Sequence, residues 1–236
     1  MTPRTNARLA GTMFLVYIAT GITSMVVFRQ ATGGAEGTAA TLASLVEHAP
    51  LVRLTALLSL LTFFDAVVLG LALYGLTRDE DHDLALLALL CRVAEGVFGA
   101  TGAVETLKLL SLATAAGAAP DAATIALGGL LLDPRNLSVA VAGTCFAVGS
   151  TIFCWLFVRS RSIPVGLAWL GVAGSLLVLV ALPLRMVGYL DGTAAFLLWT
   201  PIGVFEVTLA LWLLIKGVKP AGRGAGAIAG SQPAAV

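Results

Sequence analysis

Three carboxylates and one guanidinium stand near the middle of long apolar segments: Asp65, Glu95, Glu206 and Arg92. A charge at bilayer mid-depth costs about 2.5–3.5 kcal/mol on insertion scales, so such residues usually face a protein interior or a water-filled cavity. If the four face one another, three acids and one base carry a net charge of −2 when all are ionised. A desolvated site holds that charge poorly. Either carboxyls keep protons, a cation enters, or water penetrates. The chemistry this suggests is the binding or translocation of a proton, a cation or a small amphipathic ligand. The same residues fit a second role, a polar network that specifies helix packing in a structural or assembly subunit. Paired carboxylates also do acid–base work, so an intramembrane enzyme acting on a lipid is a third reading, though no nucleophile or metal set accompanies them.

The elements that must position these groups are helices. Hydrophobic residues make up 58% of the chain and charged residues 11%, against about 25% charged in soluble domains. Crossing the hydrocarbon core takes about 20 apolar residues as a helix. Six segments qualify: Leu9–Phe28, Leu54–Leu76, Leu84–Ala103 with a continuation open to Ala115, Leu137–Val158, Ile163–Leu182 and Ala195–Ile215. Backbone polar groups in lipid need internal partners, and the alternation of a barrel is absent, so the fold class is all-α. The expected architecture is a polytopic bundle of six transmembrane helices spanning residues 1–218, with a disordered cytoplasmic tail over 219–236. The first apolar run exceeds a signal-peptide core and reads as a retained helix.

Helical rise then sets depth, at about 1.5 Å per residue. Asp65, Glu95 and Glu206 each lie eleven residues beyond the start of their segments, and Arg92 lies eight beyond Leu84. All four are expected at one level. Arg92 and Glu95, three apart, share a helix face. Pro201, five residues before Glu206, is expected to kink the sixth helix by freeing the carbonyl of Leu197. Gly96, Gly99, Ala100 and Ala103 on the third segment, and Gly171 with Ser175 on the fifth, are expected to allow close packing.

Basic residues orient the bundle. Arg4, Arg8, Arg78, Arg159, Arg161, Lys216, Lys219 and Arg223 fall on one side, and Arg29, Arg53, Lys108, Arg135 and Arg185 on the other. That bias places both termini in the cytoplasm. Arg53, Glu105 and Lys108 form a second charge set at the outer boundary, where snorkelling and pairing are expected. Two outer loops carry apolar spacing: Thr38–His48 at Leu42, Leu45 and Val46, and Pro120–Asp133 at Ile125 and Leu127. They read either as short interfacial helices or as ordered loops capping the bundle.

Several classes are disfavoured. A net charge of +1 lacks the basic face that nucleic acid requires. The only histidines, His48 and His82, sit in different loops, so no zinc site or other cofactor motif is visible. The acidic loop Asp79–Asp83 lacks the turn glycine and terminal glutamate of a calcium loop. Cys91, Cys145 and Cys154 read as small core residues. Cys145 and Cys154, nine positions apart on one helix, are too far apart to bridge. The partners expected are the lipid bilayer and, for so small a bundle, a second copy or another membrane subunit.

The motifs and their order bring a family into view. Ala7-Arg8-Leu9-Ala10-Gly11 with Tyr17 and Thr20-Gly21, Arg92-Val93-Ala94-Glu95, Arg159-Ser160 with Ile163-Pro164, and Glu206 through Leu211-Trp212-Leu213-Leu214-Ile215-Lys216-Gly217 resemble an uncharacterised bacterial membrane family, domain of unknown function 4386. The resemblance reaches Val218. It implies a six-helix bacterial membrane protein and supplies no activity. It also implies aromatic or histidine residues near the start of the fourth helix, where this chain carries Pro134-Arg135-Asn136.

Overall fold

Several helix ends are set by caps and prolines rather than by hydropathy. In the computed structural model, which describes residues 2–117, 119–132, 137–190 and 197–218, the first helix, α1, runs Pro3–Thr32. The Thr2 hydroxyl accepts the Thr5 amide at 3.2 Å, Pro3 occupies the first turn, and Gly33 ends the helix at φ 59°. A left-handed residue at that point satisfies the last carbonyls without a Cβ clash. The apolar run Leu9–Phe28 is therefore only the centre of a longer element.

The same holds farther along. Helix α3, Ala49–Thr77, begins with Pro50 in its first turn. Helix α4, His82–Ala116, begins at Asp81, whose Oδ1 accepts the Leu84 amide at 3.1 Å, and it keeps the continuation past Ala103. Helices α6, Leu137–Ser160, and α7, Val165–Met186, follow. Both apolar loops are helical: α2 spans Thr38–Glu47 and α5 spans Ala122–Leu131. They cap one end of the bundle, where Leu42 and Leu45 are buried with Val52, Leu109 and Leu110. A Cβ on Gly128 of α5 would lie 3.1 Å from Leu42 and Thr38 of α2.

The sixth long element needs correction. Helix α8 runs Thr200–Ile215, not from Ala195. Pro201 sits in its first turn, where the amide it lacks has no helical partner to lose, so it starts the helix instead of kinking it. A proline does fall inside α7, at Pro183. At 16 residues α8 is about 24 Å long. Five helices, α1, α3, α4, α6 and α7, are long and apolar enough to cross a membrane, and α8 is a shorter apolar helix.

These six helices close into a ring in the order α1, α3, α4, α6, α7, α8 and back to α1. Neighbours run antiparallel, as the close approaches show: Gly75 to Asn6, Gly70 to Arg92, Gly149 to Ala88, Gly171 to Cys154 and Gly11 to Leu214. The ring packs a core of Phe153, Phe157, Leu69, Phe205, Leu209 and Leu213. Of the expected small-residue contacts, Gly96 meets Phe63 and Gly171 meets Cys154 and Phe205, while a Cβ on Gly99 would meet nothing within 4 Å. The start of α1 and the end of α8 share one end of the ring. There Arg159 clamps the α3–α4 turn, 3.1 Å from both Glu80 and Asp81. Pro134-Arg135-Asn136 and the tail 219–236 lie outside the described residues.

Candidate functional site

Arg92 is the largest fully buried side chain, 1% exposed. Its stem crosses α3 at Gly70, where a Cβ would lie 2.9 Å from the Arg92 Cβ. This delivers the guanidinium to the ring interior. It meets Glu95 on the next turn, Nη1 to Oε2 at 2.8 Å. The N–H direction misses Oε2, which receives no hydrogen bond despite the close ion pair. The other oxygen, Oε1, accepts the Tyr17 hydroxyl of α1 at 2.5 Å.

The guanidinium also lies over two aromatic rings. It lies 5.3 Å from the ring centroid of Tyr17 and 5.2 Å from that of Phe146. Phe146 in turn stacks on Trp199 at 5.8 Å with a 26° interplanar angle. Trp199 at the cap of α8, Phe146 on α6, Arg92 on α4 and Tyr17 on α1 thus form one ladder. Cation–π contacts in desolvated surroundings contribute about 2 kcal/mol or more. They let a cation stay buried that its single acidic neighbour does not fully bond.

Glu206 completes the set. It is buried on α8, 8% exposed, and feels the charges of both Arg92 and Glu95. Between Arg92 and Glu206 lies a void of about 10 Å³, bordered by Ser150 and by Phe14, Phe153 and Phe157. Arg92 Nε and Nη2 have no partner there. A void of that size is at the threshold for one water molecule.

Asp65 does not join them. It is at the level of Glu95, since Ala66 packs beside Gly96. Its carboxylate, however, faces the Thr20 hydroxyl of α1, and Oδ2 has no hydrogen-bond partner. Rise along a helix gives depth but not azimuth, and Asp65 points one turn away on α1 from Tyr17. The predicted foursome is therefore a trio of Arg92, Glu95 and Glu206, plus a separate Asp65–Thr20 contact. Of the second charge set, Glu105 accepts from Ser138 of α6 at 2.9 Å, and Arg53 and Lys108 are exposed. Tyr17 and Phe146 were missed as site residues, although a phenol at mid-span always needs a partner for its hydroxyl.

Beyond the trio, toward the α2/α5 end, a cavity of about 950 Å³ opens between α1, α3, α4, α6 and α8. Glu95, Glu206 and Tyr17 form its polar floor, and Phe63, Phe146 and Trp199 are among its walls. Ile22 and Met25 line it while remaining 55% and 54% exposed, so one wall opens on the outer face of the bundle. Gly21, Gly99 and Gly203 line it with no heavy atom within 4 Å of an added Cβ. Ligand pockets are commonly about 300–1,000 Å³, mostly apolar with a few placed polar groups. Among the described residues, no group of three or more metal-ligating side chains is assembled.

No curated protein and no solved structure matches the chain. A family model does, over residues 9–217, which takes in every helix around the cavity. The chain belongs to the family described as domain of unknown function DUF4386.

Proposed function

We propose that this membrane-embedded chain binds a small amphipathic ligand in the cavity, with the ligand's polar end on Glu95, Glu206 and Tyr17. The observation that carries the reading is the coincidence of a roomy, mostly apolar cavity with buried acids at its floor. Acids at such a place without a nucleophile suit binding, or transport, better than turnover. The setting is the plasma membrane of a bacterium, with six spans and both termini cytoplasmic. Its support is the position of α8 inside the ring and the basic residues Arg4, Arg8, Arg78, Arg159, Arg161 and Lys216 at one end. Within this reading Arg92 is scaffold as well as counter-charge, because it packs over the rings of Tyr17 and Phe146. The packing role considered for the charges thus falls to Arg92 and to Asp65.

The test fills the cavity without disturbing its walls. Gly99→Leu places a side chain into open space and gains up to about 1 kcal/mol of helix propensity. The variant is expected to be at least as stable as wild type. Decylamine, decanol and decanoate would be titrated against both proteins by thermal unfolding in a neutral detergent. At least one should raise the wild-type Tm and leave Gly99→Leu unmoved. Equal shifts in the two proteins would mean that the cavity is not the binding site.

A further inference from the structure

The charges at the cavity floor do not balance. When all three are ionised, Arg92 supplies one positive charge, and Glu95 and Glu206 supply two negative ones. Arg92 and Glu95 are committed to each other at 2.8 Å, and Glu95 is also bonded to Tyr17. Glu206 has neither an ion pair nor a hydrogen bond from another side chain among the described residues, yet it borders both the large cavity and the small void beneath Arg92. One acid facing the cavity is left to be matched from outside.

From this imbalance we infer, resting on the binding role proposed above, that the cavity takes a lipophilic monocation whose charge is received by Glu206. Three further observations give the occupant its shape. The walls beyond the floor are apolar and aromatic, including Phe28, Phe63, Phe146 and Trp199. Aromatic faces attract delocalised or quaternary cations. The volume of about 950 Å³ suits a body of drug size. The exposed lining residues Ile22, Met25 and Val207 present an apolar rim, so an occupant dissolved in the bilayer reaches the site without crossing water. A small hydrated ion would leave those walls unused. An anion would meet Glu206 and Glu95 with the guanidinium turned away into the ladder.

Tetraphenylphosphonium and tetraphenylborate test the sign of the charge at nearly constant size and shape. Binding to purified protein in nanodiscs of neutral lipid would be measured by calorimetry, for wild type, Glu206→Gln and Gly99→Leu. The phosphonium should bind wild type and the borate should not, a comparison that needs no variant. Glu206→Gln should weaken the phosphonium about thirtyfold or more, the usual loss when one side of a desolvated charge pair is removed. Gly99→Leu should abolish binding. If both ions bind wild type alike, and Gly99→Leu removes both, the cavity binds ligands but does not select cations, and this inference is overturned alone. If neither binds wild type, or Gly99→Leu changes nothing, the cavity reading falls with it.

Discussion

Arg92 shows how a cation is kept inside an apolar bundle with one acid bonded to it. Its guanidinium lies over the rings of both Tyr17 and Phe146, 5.3 Å and 5.2 Å from their centroids. Lysine would keep the charge and lose the plane. We expect Arg92→Lys to cost about 2 kcal/mol of stability, near the value of desolvated cation–π contacts. Arg92→Gln should cost about 3–5 kcal/mol, because it strands Glu95 without its counter-charge. Chemical unfolding of the three proteins in detergent separates the cases, and equal losses for Lys and Gln would deny the ladder any energetic role. The pair Arg92 and Glu95 was legible from sequence because a spacing of three fixes both depth and face. Asp65 was not, because its depth is set by counting while its direction is set by how α3 is rotated against α1. Tyr17 stood inside a family motif, yet nothing in a lone tyrosine says which acid its hydroxyl will find.

At the scale of elements, five of the six apolar runs translated into long apolar helices and the sixth into a shorter one, and their polar ends did not follow from hydropathy. Thr2, Asp81 and Pro50 extend three of them beyond the apolar core, while Pro201 delays the sixth. Proline has opposite meanings at the first turn and in mid-helix, and only the true start of α8 decides between them. Close packing was legible as small residues but not as contacts. Gly174 was not singled out, yet a Cβ there would lie 2.9 Å from the backbone nitrogen of Ile202. Backbone cannot step aside as a side chain can, so Gly174→Ala should lower stability by about 1–3 kcal/mol by overpacking, despite alanine's better helix propensity. Gly166→Ala on the same helix meets nothing within 4 Å and should be neutral or stabilising by up to about 1 kcal/mol. Thermal unfolding of the two variants side by side checks the α7–α8 contact.

The whole molecule is asymmetric between its two ends. One is capped by α2 and α5 and hollow beneath them. The other is filled with phenylalanines and tied by Arg159 to the α3–α4 turn. Asp81 belongs to that tie. The Leu84 amide it accepts, with Arg159 adding to the effect, holds its carboxyl below the ordinary value of 3.8. A carboxyl lowered by folding stabilises the fold above 3.8, and that contribution is lost as pH falls through the lower folded value. The protection of the Leu84 amide from hydrogen exchange, taken relative to its intrinsic rate, should therefore fall in a step below about pH 4 in wild type. In Asp81→Asn, which has no carboxyl to titrate, it should show no such step. A step that persists in the variant would place the titration elsewhere.

Trp199 gives the hollow end one more property. Its indole is both a wall of the cavity and the outermost rung of the ladder, stacked on Phe146. The exposed pair Trp155 and Trp169 sits apart from it on the surface of α6 and α7. Trp212 packs against the core of the ring, so of the four tryptophans Trp199 is the one that lines the cavity. With Trp155, Trp169 and Trp212 replaced by phenylalanine, the protein would carry its own optical probe, whose emission colour reports the polarity of the chamber from within.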